Sequence, residues 1–511
     1  MSSVSLEQIM TLDQAHRSPD AIEELRKLVA TGSAASTASS QALTYLCLHC
    51  MNSRLNRGIN GLGFLSNLGD TNEGIPKIAA EQVPMELWYS CRFWIKHLLD
   101  VPQPLPVPLL EQLKDFLERR LVLWMELVSA YGQYEGASDI FKWTKTHSNE
   151  LSIDICFETL EISHNLRRLY DRLGYMDRLE EALVAARDRV EILQGLCAEP
   201  PDLGHCAQLT TALTAVSAFL GRLGYYQDSQ DTLIQAIELQ NQLVKEIPSP
   251  DAWAKLADSH YNHSVILAHL QCHDRALEVM QEGSHIYRRL ASIYPTSFNP
   301  GLALSIQGLA TRLGNLGHYE ESLTLTREAL EIRRHLEAAN PGKYKPELSQ
   351  SLYNLGIILS DLKRNEEALE ATNESVDIYW ALVDSRPEVF SPDLAEVLNG
   401  LSAVLNSAGR HEEALTKLEV ALGIYRKLAA DRPTAYLGKV ASNLINIAIE
   451  YSNCNLHDEA KAAADESVEL YESLADKGPM QYGQDLLNAR ETRCEVAVRA
   501  GETDLESRVD N

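Results

Sequence analysis

Five prolines in the second half of the chain recur every 46 residues, and an aromatic residue follows each one three positions later. The prolines are Pro295, Pro341, Pro387, Pro433 and Pro479, and the aromatic residues are Phe298, Tyr344, Phe390, Tyr436 and Tyr482. A small residue keeps nearly the same interval, at Ser229, Ala276, Ser322, Ala368, Ala414 and Ala460. A fixed period of this length indicates tandem repeats, which stack into a solenoid and usually bind rather than catalyse.

The charge of the chain restricts the classes of partner. Its 511 residues carry a net charge of −26, which argues against binding a nucleic-acid backbone, because that requires clustered lysine and arginine. It argues equally against a basic helix on a membrane surface. The acidic surface is expected mainly to keep the protein in solution, and the alternative is that its field attracts a basic protein partner.

The N-terminus and the cysteines indicate a cytoplasmic protein. The first residues lack a basic segment followed by an apolar one, so no secretory signal is expected. Nowhere does an uninterrupted apolar run approach the length of about 18 residues that a membrane span needs. Nine cysteines, an odd number scattered along the chain, are typical of reduced thiols rather than of a disulfide framework.

The pattern along the chain divides it into three parts. Residues 1–40 contain a short amphipathic stretch at 18–28 and a small-residue linker at 31–40. Residues 41–150 are helical in pattern but lack the 46-residue period; one helical face is formed by Leu109, Leu113, Phe116, Leu117, Leu121, Trp124 and Leu127. Residues 151–505 are expected to contain about seven repeats and a closing helix, which presents Arg490 and Arg493 where earlier repeats have apolar residues.

Each repeat contains two helical patterns. In one unit, Leu352, Leu355 and Leu359 share a face of the first helix. Small residues recur where this helix must approach its partner, at Ala310, Gly356, Ser402 and Ala448. A polar turn follows, and the second helix opens with acidic pairs that favour its positive N-terminal end, at Glu320-Glu321, Glu366-Glu367 and Glu412-Glu413. The sequence therefore predicts an all-α fold.

The repeat resembles the tetratricopeptide repeat. The segments Gly317-His-Tyr-Glu-Glu-Ser322 and Gly224-Tyr-Tyr-Gln-Asp-Ser229 match its Gly-x-Tyr-x-x-small pattern. The unit is longer than the usual one, and in this respect it resembles the repeats of kinesin light chains and their bacterial and fungal relatives. The resemblance implies a right-handed superhelical solenoid behind a helical N-terminal region.

The N-terminal region resembles the helical segment that follows the NTPase module of fungal NACHT-type proteins. The similarity lies in three segments in the same order: Cys47-Leu-His-Cys-Met51, Leu87-Trp-Tyr-Ser-Cys-Arg-Phe-Trp-Ile-Lys-His-Leu98 and the run from Asp115 to Ser129. The Gly-x-x-x-x-Gly-Lys-Ser/Thr loop that holds nucleotide phosphates in that family is absent from this sequence. ATP hydrolysis is therefore not expected.

The candidates for metal binding and catalysis favour structural roles. Cys47-Leu-His-Cys50 has the spacing of half a zinc site, but the sequence offers no second pair of ligands. The densest cluster of potential ligands is His260, His263, His269, Cys272 and His273, whose helical spacing points the side chains to different faces. Neither Gly-x-Ser-x-Gly nor His-Glu-x-x-His occurs. We expect no metal, no cofactor and no enzymatic activity.

The remaining candidates are polar and aromatic residues on the first helices of the repeats. Six residues are predicted to line a peptide-binding groove: Tyr261, Asn262, Tyr353, Asn354, Asn399 and Asn446. An asparagine side chain can pair with a peptide main chain because it offers a donor and an acceptor together. Alternatively, these asparagines bond neighbouring repeats to each other. The first interpretation predicts a scaffold that holds a partner peptide or helix. A second hypothesis is a sensor fragment of a fungal NACHT-type immune receptor, whose partner is a separate NTPase module.

Overall fold

The predicted all-α fold is confirmed by the computed structural model, which describes residues 19–30, 40–66, 74–147, 155–198, 202–476 and 478–501. These residues form twenty-one α-helices and one short 3-10 helix, Ala80–Gln82, and none of them is in a strand. The small-residue linker at 31–40 lies almost entirely outside the described residues. The chain divides into two compact units, residues 1–219 and 220–511.

The first unit contains eight helices and most of a ninth. They are α1 (Pro19–Ala30), α2 (Ser40–Arg54), α3 (Met85–Leu99), α4 (Val107–Arg119), α5 (Leu121–Tyr131), α6 (Ser138–Thr146), α7 (Ile155–Tyr175), α8 (Leu179–Ala198) and α9 (Leu203–Arg222). The core around α3, α4 and α5 is aromatic: the ring of Trp94 lies 4.7 Å from Phe116 and 5.8 Å from Trp124 between centroids. The Trp124 indole N–H donates to the Cys91 carbonyl at 2.7 Å, so its polar end is satisfied inside this core.

The second unit is a succession of long helices. They are α10 (Tyr226–Glu246), α11 (Pro250–His269), α12 (His273–Ile293), α13 (Pro295–Asn315), α14 (Tyr319–Ala339), α15 (Lys345–Asp361), α16 (Asn365–Ser385), α17 (Pro387–Ser407), α18 (His411–Asp431), α19 (Pro433–Asn453), α20 (His457–Ala475) and α21 (Pro479–Arg499). From α10 onward, each helix packs against the next along the chain. This consecutive packing is the arrangement of a solenoid.

The periodic prolines mark where first helices begin. Pro295, Pro387, Pro433 and Pro479 are each the first residue of a helix. Proline is favoured there because its missing N–H has no intrahelical acceptor in any case and its fixed φ suits the helix. Pro341 differs, since it lies in the turn before α15.

The periodic small residues are the contact points between helices. All six, from Ser229 to Ala460, are 0% exposed. Two of the contacts include hydrogen bonds: the Ser264 hydroxyl donates to the Ala276 carbonyl and the Ser322 hydroxyl to the Ala310 carbonyl, both at 2.7 Å. Because larger side chains would separate the helices, the period in the sequence is a direct consequence of this close packing.

The turn between the two helices of each repeat has one left-handed residue. At this position φ lies between 59° and 84°, and the residues are Asp177, Gly224, Gln271, Gly317, Lys363, Gly409 and Asn455. Glycine adopts this conformation without a steric penalty, whereas other residues pay for it. The position alternates between glycine and another residue, so neighbouring repeats are not equivalent.

The last helix, α21, meets its predecessor with charged groups. Arg490 donates to Glu472 at 2.8 Å, and Arg493 lies 3.8 Å from Asp465. One repeat earlier, the same positions carry Leu444 and Ile447, which are 2% and 3% exposed. The arginine side chains are 48% and 41% exposed, so this face of α21 is polar where the equivalent face of α19 is apolar. That α21 closes the array stays a prediction.

Among the helices the structure describes, α9 has the length and hydropathy of a membrane span, and 44% of its apolar window is buried. A buried core helix has the same properties. The expectation that the chain does not cross a membrane therefore stays a prediction.

Candidate functional site

Three of the predicted groove asparagines occupy one position in every second first helix. Asn262 on α11 and Asn446 on α19 are exposed, and Asn354 on α15 is half-buried. Asn354 accepts a long hydrogen bond, 3.5 Å, from Gln350 one turn earlier in the same helix. This set, which we call the asparagine face, presents side-chain amides at a spacing of 92 residues along the chain.

Asn399 has a different environment. Its side-chain oxygen accepts a hydrogen bond from the amide of Asn443, which is 0% exposed and lies on the next first helix, α19. The bond joins α17 to α19 and leaves Asn399 half-buried. Asn399 therefore connects neighbouring repeats, as the alternative interpretation of these asparagines describes.

The two predicted groove tyrosines pack against glycines of the following repeat. A β-carbon on Gly308 would lie 2.8 Å from the ring of Tyr261, and one on Gly400 would overlap the ring of Tyr353. Both tyrosines are half-buried. The glycines occupy the position that carries asparagine in the other repeats, which explains why the asparagine face has a period of two repeats.

Carboxylates lie on first helices of the same set of repeats: Asp258 is on α11, and Asp393 and Glu396 are on α17, between the helices of Asn354 and Asn446. Asp258 accepts the Tyr287 hydroxyl at 2.5 Å, and burial raises the pKa of this carboxyl. Burial and the neighbouring Glu396 raise the pKa of Asp393. Glu396 is itself half exposed and lies 3.8 Å from Lys439. Acidic side chains beside exposed amides suit a ligand with positive charge.

Glu450 is the centre of a polar network that the sequence analysis missed. Its side chain is 4% exposed and accepts hydrogen bonds from Asn406, from a His411 ring nitrogen at 3.0 Å and, more weakly, from Asn453 at 3.5 Å. Paired in this way, the buried carboxylate joins α17, α18 and α19. No sequence motif marks the network, because its members lie up to 47 residues apart.

A ladder of ion pairs connects the second helices of successive repeats. Arg288 pairs with Glu328 at 2.7 Å at the first step. The equivalent residues pair at the second step, Arg334 with Glu374 at 3.9 Å, and at the fourth, Arg426 with Glu466 at 2.5 Å. Between these steps, the same two positions carry Trp380 and Val420. Their side chains are 43% and 40% exposed, so one apolar step interrupts a charged surface.

Four of the histidine and cysteine candidates, His263, His269, Cys47 and Cys50, are buried in the fold or stacked on another ring. His263 is buried and His269 stacks on Tyr226, with ring centroids 4.5 Å apart. Cys47 and Cys50 are 0% exposed, and burial raises the pKa of both thiols, that of Cys50 to about 11. Within the described part of the chain, no group of three or more potential ligands is placed to hold a metal ion.

The first unit contains a cleft of about 800 Å³ between α3, α5, α6 and α8. Its wall includes Asp188, which accepts the Tyr134 hydroxyl and the Ala137 N–H, both at 2.7 Å. Burial raises the pKa of this carboxyl to about 6. The cleft is lined by both signs of charge, including Arg92, Lys96, Arg187, Asp100, Glu135 and Asp139, and this mixture selects no ligand class.

Comparison with known proteins agrees with the repeat pattern. Models of the tetratricopeptide repeat match residues 302–340 and 349–379, which fall on α13–α14 and α15–α16. No curated protein matches the chain. The two matched segments are tetratricopeptide repeats, as the sequence predicted, and such repeats indicate a scaffold for protein interaction.

Three solved structures illustrate the similarity. Aspartyl phosphate phosphatase F from Bacillus subtilis is 15% identical, with 75% of this chain and 88% of that chain covered and a TM-score of 0.44. A signal-transduction ATPase with a tetratricopeptide-repeat sensor from Pyrococcus horikoshii is 13% identical, with coverage of 72% and 54% and a TM-score of 0.39. A putative kinesin light chain from Podosopora anserina is 18% identical, with coverage of 42% and 97% and a TM-score of 0.31.

Proposed function

We propose that the protein is a non-catalytic adaptor that holds a peptide segment or helix of a partner protein against the asparagine face. The observation that supports this is the exposure of Asn262 and Asn446 at one repeated position, where an amide pair can reach a ligand main chain. The spacing of two repeats fits an elongated ligand that crosses several first helices.

The charge near this face indicates the chemistry of the partner. Asp258 lies on α11 with Asn262, and Asp393 and Glu396 lie on α17, the first helix between those of Asn354 and Asn446. The whole chain carries −26. A segment with lysine or arginine side chains would gain both attraction on approach and pairing when bound. The proposed partner is therefore a basic segment of a protein.

The proposal is tested by quantitative affinity capture with the full chain as bait, followed by affinity measurement with the captured partner. Replacing Asn262, Asn354 and Asn446 together by alanine should weaken binding by roughly ten- to a thousandfold, since each net hydrogen bond contributes about 0.5–1.5 kcal/mol. The melting temperature of the free protein should change little, because the exposed amides of Asn262 and Asn446 face water and their removal leaves no buried group unpaired.

Matched controls lie on the second helices. Asn241 on α10 and Asn373 on α16 are also exposed, and their replacement by alanine should leave the affinity unchanged. Unaltered binding by the triple variant, together with a large loss of stability, would show that the three asparagines connect repeats and would refute the proposal.

The second candidate function is a sensor fragment of a NACHT-type receptor that docks onto an NTPase module in another chain. It is supported by the aromatic segment Leu87–Leu98, which forms most of α3 in the core of the first unit. The observation that decides it is genomic: an in-frame phosphate-binding loop upstream of residue 1 would favour the receptor, and Mg-ATP should then stabilise only the longer product.

A further inference from the structure

The turn after α9 touches the beginning of α21, 256 residues later in the chain. A β-carbon placed on Gly224 would lie 2.7 Å from the carbonyl oxygen of Met480, 2.9 Å from its carbonyl carbon and 3.2 Å from the amide nitrogen of Gln481. The contact is therefore between main chains, and only a residue without a side chain fits against it.

The two contacting segments belong to opposite edges of the repeat ribbon. Gly224 lies in the turn between the first helix, α9, and the second helix, α10, of its repeat. Met480 is the second residue of α21, directly after the connection between two repeats. Successive turns of a superhelix meet in this way, with one edge against the other. The contact thus means that the second unit completes one turn and returns to its own beginning.

Comparison with the equivalent turns of other repeats shows that packing against a distant segment is particular to Gly224. At the same left-handed position, Gln271, Lys363 and Asn455 carry side chains, so the backbone conformation alone does not demand glycine. Gly317 and Gly409 occupy it in two other repeats, and a β-carbon on either would meet nothing within 4 Å. Of these three glycines, Gly224 alone faces another part of the chain.

The neighbouring side chains extend the contact. Tyr226, two residues after Gly224, stacks on His269, and burial together with the charge of Asp485 on α21 raises the pKa of its hydroxyl. Asp485 itself is half-buried. The first residue of α10 and the second turn of α21 are thus near enough for the charge of Asp485 to act on the Tyr226 hydroxyl.

We propose that the turn at residues 223–226 and the first turn of α21 form a latch that closes one superhelical turn of the second unit, edge against edge. In the closed form, the first helices face an enclosed space, which a partner segment enters by a free end or after the latch opens. The latch does not rest on the proposed function, because it concerns contacts within the chain itself.

The experiment is intramolecular photo-crosslinking in the full-length protein at low micromolar concentration. A photoreactive phenylalanine replaces Tyr225, which is 43% exposed beside the contact. Mass spectrometry of the monomer should find crosslinks to residues 478–482. Gly224→Gln should reduce their yield at least about fivefold, since a side chain cannot be accommodated against the Met480 main chain without displacing it.

The controls carry the same substitution at equivalent turns. Gly317→Gln and Gly409→Gln impose the same backbone cost without a neighbour, and both should keep the crosslink yield of the parent. If circular dichroism shows that Gly224→Gln does not fold, Gly224→Ala is used instead because it adds the smallest side chain. It should still lower the crosslink yield relative to Gly317→Ala. Absence of the crosslink in the parent, or equal yields in the Gly224 and Gly317 variants, would overturn the latch.

Discussion

The ring of Tyr353 lies against the α-carbon of Gly400, 47 residues further along the chain, and the same relationship joins Tyr261 to Gly308. In each case a tyrosine of one repeat occupies the space that a side chain on the next repeat would need. The contact therefore fixes how closely the two first helices approach.

Gly400→Ala is expected to lower the free energy of unfolding by about 1–3 kcal/mol, because the added methyl overlaps a half-buried ring. Gly423→Ala, on α18 where a β-carbon meets nothing within 4 Å, should raise it by up to about 1 kcal/mol through helix propensity. Chemical denaturation of both variants measures the difference, and effects of the same sign would contradict the packing described here.

Glu450→Ala should lower the free energy of unfolding by about 1–3 kcal/mol, because it leaves the half-buried donors of Asn406 and His411 without their acceptor. The control is Glu419→Ala: this exposed carboxylate accepts a hydrogen bond from the Tyr451 hydroxyl at 3.0 Å, and its removal should lower stability by no more than about 0.5 kcal/mol. Equal losses in urea denaturation would exclude a stabilising network around Glu450.

The break in the ion-pair ladder can be repaired. Trp380→Arg combined with Val420→Glu should recreate the pair present at the other steps, with a coupling energy of about 0.2–1 kcal/mol that decreases in high salt. A double-mutant cycle measures the coupling energy. The matched control is the pair Arg426–Glu466, in which the two residues exchange positions. A coupling of zero in low salt would mean that the two positions do not face each other.

Asp188 should make the stability of the first unit depend on pH. Because burial raises its pKa to about 6, the folded protein holds the proton more tightly than the unfolded chain, and stability falls as the pH rises from about 4 to about 6. Asp188→Asn should flatten this part of the curve. Denaturation at several pH values compares it with Glu180→Gln, an exposed change on the same helix, which should retain the parental slope.

The sequence predicted the fold well because a solenoid is specified by local contacts. The signals in the sequence were the 46-residue period, the buried small residues and the prolines at helix starts. Each of them reflects contacts with helices one or two places away along the chain. The contact of Gly224 with Met480 has no such signal, since it depends on the curvature accumulated over many repeats. Gly224 fits the repeat pattern in the same way as Gly317 and Gly409. The sequence does not show that, of these three glycines, only Gly224 contacts a distant segment of the chain.

Helical spacing predicted that the candidate residues lie on first helices, but not which groups they contact. It placed Asn262, Asn354 and Asn446 at one repeated position and Asn399 one residue earlier, where its side chain accepts a hydrogen bond from Asn443. Pairings such as that of Asn406 with Glu450 depend on which residues face each other across two helices. The repeat period of a single sequence does not reveal such hydrogen-bond partners.

Two independent features alternate along the array: the left-handed turn residue and the tyrosine that faces a glycine. The building block of this solenoid is thus a pair of unlike repeats, 92 residues long. Removal of 92 residues, such as 272–363, would join compatible neighbours. Removal of 46, such as 272–317, would place two repeats of the same kind side by side and put Asn354 where Tyr261 now faces Gly308. Changes in the length of this array are therefore constrained to even numbers of repeats.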